Sequence, residues 1–472
     1  MIRSTYGRLG LVGALASALA CAPKDAKSVL EGAASTLGAS ELSSIQYTGQ
    51  GSHFALGQSP RPDAAWPKFN VVRYERAIDY KTSSSREVLV RTQGEDPPRG
   101  GGGQPLAGEQ TQTLLVSGGT AWNLAGENAT AAPAAAAERA IQIILTPHGF
   151  VKAALASTPT LAEETRDGRT VYTISFRYGD QDVRGTINAE NLLESIETTI
   201  QNTVLGAMPV STSFSEYEDF GGVQFPTRIV QTQGGHPTLD ITVAEVTPNA
   251  PVEIAVPEAV ASAAPAAVTV ASEKLADGVW FLAGGSHHSV LVEFQDHVAV
   301  IEAPLSPERS EAVMAEVEKL VPGKPLRYLV NTHHHFDHSG GVQTYAAKGV
   351  TIVTHEMNVP FYQGLHSGGT FEAVGDHKSL TDGARSLEIH HVQGNPHNEG
   401  LLMVYLPKEK ILVQADAFSP RPGPPSSLAN PFTVNLHENI VRLNLDVERI
   451  APIHGTVVPL ADLRTAIGRG TD

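Results

Sequence analysis

The 472-residue sequence predicts an α+β protein of two unlike parts, an antiparallel β-rich part followed by one in which strands and helices alternate. Three observations carry this. Between Leu42 and Ile254, short runs of alternating apolar and polar residues recur, bounded by Gly, Asp or Asn. Pro257 to Ala267 is rich in Ala and Pro and divides two different patterns. Beyond it, apolar strand-like runs end repeatedly in His or Asp. The chain is also longer than one ordinary domain of roughly 150 residues.

The first 20 residues have the pattern of a signal peptide. Arg3 and Arg8 are basic, Leu9 to Ala20 is apolar but too short to span a bilayer, and no acid precedes Asp25. Ala18-Leu19-Ala20 is a small-x-small cleavage site directly before Cys21, the single cysteine. The segment resembles a bacterial secretory signal, which implies an exported protein. It would be periplasmic after ordinary cleavage, or anchored to the outer membrane as a lipoprotein through a lipidated Cys21. Ala18 departs from the usual lipobox, which has Leu there. Residues 21–40 are expected to be a tether with a short helix.

Residues 41–256 form the β-rich domain. Strands are expected at Phe69 to Tyr74, Glu87 to Arg91, Thr113 to Val116, Val171 to Phe176, Phe225 to Val230 and Leu239 to Val246. One helix is expected over Ala134 to Ala156, broken or kinked at Pro147. Pro97 to Gly103 reads as a flexible loop. The segment Tyr217 to Arg228 resembles the strand pairs of lipoprotein-carrier-like half-barrels. That resemblance implies a half-barrel with an apolar groove; a purely supporting sandwich is the alternative.

Residues 257–267 are the linker and 268–472 the second domain. Strands are expected at Val279 to Leu282, Ser289 to Phe294, His297 to Ile301 and Arg327 to Val330. A helix over Pro307 to Leu320 has acids early and Lys319 late, as the helix dipole prefers. Phe361 to Gly375, with Gly364, Gly368 and Gly369, reads as a lid, and Pro420 to Pro425 as part of the same rim.

Thr332-His333-His334-His335-Phe336-Asp337-His338 follows a buried strand and precedes a helix near Gly340. On a chain leaving a strand, His333 and His335 face the same side and can reach one metal. Asp337 and His338, on the turn, can serve a second. Imidazole with carboxylate suits borderline divalent ions, zinc first. His397 lies in a loop between two strand-like runs. Asp416 and His454 each end an apolar strand.

With these residues, the segment from Val268 to Leu463 resembles a metallo-β-lactamase-fold hydrolase domain, an αββα sandwich. The resemblance implies two divalent metal ions, most simply Zn2+, with Fe or Mn as alternatives. It places His333, His335 and His397 on the first, Asp337, His338 and His454 on the second, and Asp416 between them. It further implies a water made acidic by the metals that attacks an ester, lactone, thioester or amide, with Asp337 as catalytic residue orienting it. Lactamase subclasses with a Cys ligand are excluded, because Cys21 belongs to the signal. Asp416 is similar to the bridging residue of glyoxalase II, lactonases and phosphodiesterases. Ile301-Glu302-Ala303-Pro304 departs from the usual pattern, which has Asp where this chain has Glu302. Glu302 is expected to support a ligand rather than be one. His287 and His288 lie in a loop at the site mouth, where a plain hairpin role is the alternative to substrate contact.

A charge of −16, from 34 Lys and Arg against 50 Asp and Glu, argues against a nucleic-acid partner, and the resemblance implies a small-molecule substrate. The competing function is a non-catalytic envelope protein that binds lipid or another apolar ligand and keeps a structural metal site.

Overall fold

The computed structural model describes residues 1, 24–263, 267–420 and 429–470. Residues 2–23, which hold nearly all of the expected signal and Cys21, and residues 421–428, which hold most of the proline-rich rim, lie outside the described part. Among the described residues no helix is long and apolar enough to cross a membrane.

The β-rich domain is one 13-stranded sheet. Its neighbours pair antiparallel throughout, and its first strand, Ser44–Phe54, pairs with its last, His236–Pro248. From that seam one meander runs out to Asn128–Ala131 and another to Thr160–Arg166. Residues from both wings, such as Leu89 and Ile174, share a single core with the helices, so the sheet bends around them. All six expected strands lie within observed ones. The expected helix splits into Ala136–Ile144 and Pro147–Leu155. Pro147 takes the first position of the second helix, where its missing N–H costs nothing, and the Thr146 side chain caps it.

The short helix expected within 21–40 is present, and it and the linker segment pack against the β-rich domain. Most of the 21–40 tether is a packed helix, Ala26–Leu37, capped by a reciprocal Asp25–Ser28 pair. It buries Val29, Leu30, Ala33, Ala34 and Leu37 in the domain core. Burying a side chain such as Leu30 contributes roughly 1.5–3 kcal/mol, so this segment is structural. The 257–267 linker is likewise docked where described: a short turn, Glu258–Ala261, sets Val260 against Leu115 and Trp122.

The second domain has four layers. A seven-stranded sheet runs in chain order from Ala271–Ala276 to Phe371–Val374, with its last four strands parallel. A six-stranded sheet runs from His377–Thr381 to Val458–Pro459. Their facing sides share one core, including Val290, Val330, Val404 and Val413. Helices Pro307–Leu320, Val342–Ala347 and Val359–Leu365 cover the first sheet, and Pro431–Arg442 and Leu460–Ala466 the second. The expected lid at 361–375 is part of this framework: Tyr362 is fully buried, stacks on Phe371 and donates to Asn331 Oδ1 at 2.8 Å.

Candidate metal centre

The site lies where strand ends of both sheets meet. After Leu326–Val330 the chain is fully buried through His333, and a short helix, Phe336–Ser339, folds Asp337 and His338 back beside it. The His338 and Ser339 amides close this turn on the His335 carbonyl. Asp416 follows the strand Ile411–Gln414 in a left-handed conformation, φ 57°, which Asp tolerates better than most residues. His454 follows the strand Arg449–Pro452. The loop before Leu402–Leu406 brings in His397, whose amide donates to Asn395 Oδ1 at 3.0 Å.

These elements gather all seven candidate ligands into two adjoining clusters. His333, His335, His397 and Asp416 offer ligand atoms within 4.8 Å of one another, as do His287, Asp337, His338 and His454. Asp416 stands between them. Its Oδ2 lies 3.2 Å from His333 Nε2, 3.0 Å from His397 Nε2 and 2.8 Å from His338 Nε2, and its Oδ1 lies 2.8 Å from His454 Nε2.

The outward nitrogens of the rings are held by acceptors. His333 Nδ1 meets Thr332 Oγ1 at 3.0 Å, His335 Nε2 the Ser59 carbonyl at 2.8 Å, and His454 Nδ1 the Ser286 carbonyl at 3.1 Å. His338 Nδ1 meets Glu302 Oε2 at 2.5 Å, while Glu302 Oε1 accepts from the Thr332 amide at 2.7 Å. Glu302 is fully buried and turned inward by φ 72°. It supports a candidate ligand, as expected. Such partners fix the ring orientation and, in a neutral ring, leave the inner nitrogen as a lone-pair donor.

The electrostatics set neutral buried rings beside one charged imidazole and two ionised carboxylates. Burial holds His333 down at about 4, and drives His334 and His335 down as well, so these rings are neutral at pH 7. Burial also opposes charge on His338, yet the carboxylates of Asp416 and Asp337 and its bonds to Asp416 and Glu302 raise it well above the ordinary imidazole range. Burial would lift Asp416 and Asp337, but the His338 charge holds both below the usual carboxylate range.

The residues suit divalent ions on three counts. His335 Nδ1 is buried without a partner, a cost unless something electrophilic meets it. Pairs of ring nitrogens face each other, His333 with His397 at 3.4 Å and His338 with His454 at 3.1 Å. The donors are imidazoles and carboxylates, the set that zinc, iron and manganese share.

One member was not foreseen as a ligand. His287 is buried, its ring 4.1 Å from that of His454, with Nε2 3.3 Å from Asp337 Oδ2. The sequence signal was there in the strand-flanking Ser286-His287-His288 loop, but the contact depends on a distant segment. His288 is spent structurally: Nδ1 accepts from the Gly284 amide, and the ring packs on Phe281. His334, between the motif ligands, points away from both clusters to Ser59 and Asn398.

This architecture agrees with comparison to known proteins. Residues 282–454 match the family model of the metallo-beta-lactamase superfamily, and the C-terminal region has that fold. Solved structures similar to the chain include a metallo-beta-lactamase from Pontibacter korlensis, at 19% identity and TM-score 0.37, covering 42% of this chain and 98% of that one. Rubredoxin oxygen:oxidoreductase from Desulfovibrio gigas is similar at 16% identity and TM-score 0.37, covering 42% and 61%. In sequence, the chain is 23% identical over 152 residues to the 2,4-dinitroanisole O-demethylase subunit alpha of Nocardioides sp. (strain JS1661), 31% of this chain and 46% of that protein. The chain thus spans less than half the length of this curated relative.

Proposed function

We propose that the protein is a metal-dependent hydrolase that uses two divalent ions, zinc first, on a small-molecule ester, lactone, thioester or amide. The observation that carries the reading is the convergence of His333, His335 and His397 with Asp337, His338 and His454 around a shared Asp416. In this reading His333, His335 and His397 would hold one ion, Asp337, His338 and His454 the other, and Asp416, which lies between the two clusters, would serve both. When bound, such ions supply Lewis acidity and make bound water acidic near neutral pH.

The chain's own residues do the rest. Asp337 is the most open carboxylate of the set, its side chain 36% exposed against 15% for Asp416. It is therefore the group that meets substrate and solvent, orienting the nucleophile and taking its proton. His287, hydrogen-bonded to Asp337 Oδ2, steadies it from the mouth. The buried walls of His333, His335 and His397 exclude bulk water from the inner side.

The test is metal analysis with a broad ester, lactone, thioester and amide panel on the signal-free protein. Two ions per chain are expected, and turnover should vanish in His335→Ala and Asp416→Ala. Turnover that survives thorough metal removal would reject the reading. The signal-like residues 1–20 support export, with Cys21 as a membrane tether; the mass of the mature N-terminus from a bacterial envelope fraction decides this.

A second reading draws on a cavity of about 300 Å3 in the β-rich domain, lined in part by Tyr74, Arg76, Phe214, Phe225, Ile229 and Gln233. Tyr74 OH, Arg76 Nε and Gln233 Oε1 are buried there without partners. They favour a small amphipathic ligand, with the metal site structural. Lipid extracted from the purified chain, with no hydrolysis across the panel, would favour this reading.

A further inference from the structure

The β-rich domain reaches into the candidate metal centre. A strap leaving the strand Ser44–Phe54, together with the loop expected to be flexible at 97–103, lies against the metal-motif segment. The Gly57 carbonyl accepts from the Phe336 amide at 3.2 Å. Gln58 Nε2 donates to Asp337 Oδ1 at 2.8 Å, while its Oε1 accepts from the Gly102 amide at 3.0 Å. The Ser59 carbonyl accepts from His335 Nε2 at 2.8 Å, and Ser59 Oγ lies 3.1 Å from His334 Nε2. Flanking contacts seat the strap: the Pro60 carbonyl accepts from the Glu399 amide, the Gly100 amide donates to the Pro396 carbonyl, and Arg99 pairs with Glu399 at 2.5 Å.

Two of these contacts, from the Gln58 side chain and the Ser59 carbonyl, land on the side of a ligand turned away from its cluster. Asp337 gives Oδ1 to Gln58 and keeps Oδ2 towards His287 and His338, at 3.3 and 3.8 Å. His335 gives Nε2 to Ser59, and its Nδ1 is left buried and unpartnered. Outer partners of this kind typically change metal affinity 10–100-fold when lost.

We propose that Gln58 and Ser59 are positioning residues of the metal centre, one for each cluster, so that the site is completed by both domains. The proposal rests on the two-ion reading above and adds that the β-rich domain sets the geometry of one ligand of each ion. Gln58 fixes which Asp337 oxygen faces the second cluster. The Ser59 carbonyl fixes the Nε2–H tautomer of His335, which leaves Nδ1 to the first. A main-chain carbonyl cannot be removed by substitution, but its position can be disturbed. Gly57 has φ +69°, and a Cβ there would lie 2.2 Å from the Phe336 ring. Gly57→Val therefore wedges the strap away from the motif.

The experiment is zinc titration of the metal-free full chain in competition with a chromogenic chelator, resolving two dissociation constants. Gln58→Ala should weaken one site tenfold or more and leave the other within about twofold. Gln58→Glu keeps the Gly102 contact but cannot donate to Asp337, and should weaken the same site. Gly57→Val should weaken both. Circular dichroism and the unfolding temperature of the metal-free Gln58 variants should match wild type. If wild type binds two ions and both Gln58 variants bind them equally well, the inference is overturned. A wild-type chain that binds no ion overturns the metal-centre reading together with it. Two ions bound without turnover on any substrate removes only the hydrolase reading.

Discussion

Glu302 and His338 meet at 2.5 Å with both side chains fully shielded from solvent. The same carboxylate also takes the Thr332 amide, at the start of the metal-motif segment. Breaking a buried pair from one side leaves the other group uncompensated, at about 3–5 kcal/mol. Glu302→Ala should therefore lower the stability of the metal-free protein by that order and weaken zinc 10–100-fold. Denaturant unfolding and chelator competition check the two effects separately. A variant that unfolds and binds zinc as wild type does would contradict the supporting role.

Zinc uptake should release protons. His338 is held above its ordinary pKa by its carboxylate neighbours, so at pH 7 it carries a proton that it must lose to become a ligand. Affinity should then rise with pH through the neutral range and fall on acidification. Calorimetry in two buffers of different ionisation enthalpy reads the number of protons released. Zero would mean that His338 does not join the centre.

Leu30→Ala in the helix Ala26–Leu37 should destabilise the protein by about 2–5 kcal/mol, the usual range for a leucine lost from a packed core. The shift in the denaturant midpoint measures it. A tether would show no change.

Acid should weaken the β-rich domain. Burial holds His148 down at about 4, although its Nε2 bonds the Leu37 carbonyl. His53 is held at about 4 by burial and by Arg91. Between about pH 4 and 6.5 the unfolded chain binds more protons at these residues than the folded one, so stability rises with pH. The contribution is fully present above about 6.5 and lost as pH falls towards 4, on the order of 3 kcal/mol for His148. Thermal unfolding across this window should show the slope, and His148→Gln should make it shallower, leaving the part due to His53.

What the sequence made legible was local. The pattern from His333 to His338 and the strand-ending Asp416 and His454 needed only short-range chemistry, and the helix Pro307–Leu320 announced itself by its charges. The strand Leu193–Asn202 did not. Thr198 takes an inward, buried place between Ile196 and Ile200, and a pairing irregularity follows Leu193, so the apolar period is broken. Thr160–Arg166 is an edge strand with hardly any buried face to leave a signal. The short helix at 26–37 was legible, but its many small residues hid that the stripe of Val29, Leu30, Ala33 and Leu37 packs into the domain core. Ser59 and His335 are 276 positions apart, and no spacing rule reaches that far.

The seam of the large sheet has a kinetic consequence. Ser44–Phe54 cannot acquire its second neighbour until His236–Pro248 exists, because Ile45 lies opposite Pro248. Each meander can zip up hairpin by hairpin, yet their union waits on contacts remote along the chain, the class that forms slowly. A ribosome must therefore finish almost this whole half before its opening strand is paired on both sides, and until then that strand's free edge is open to aggregation.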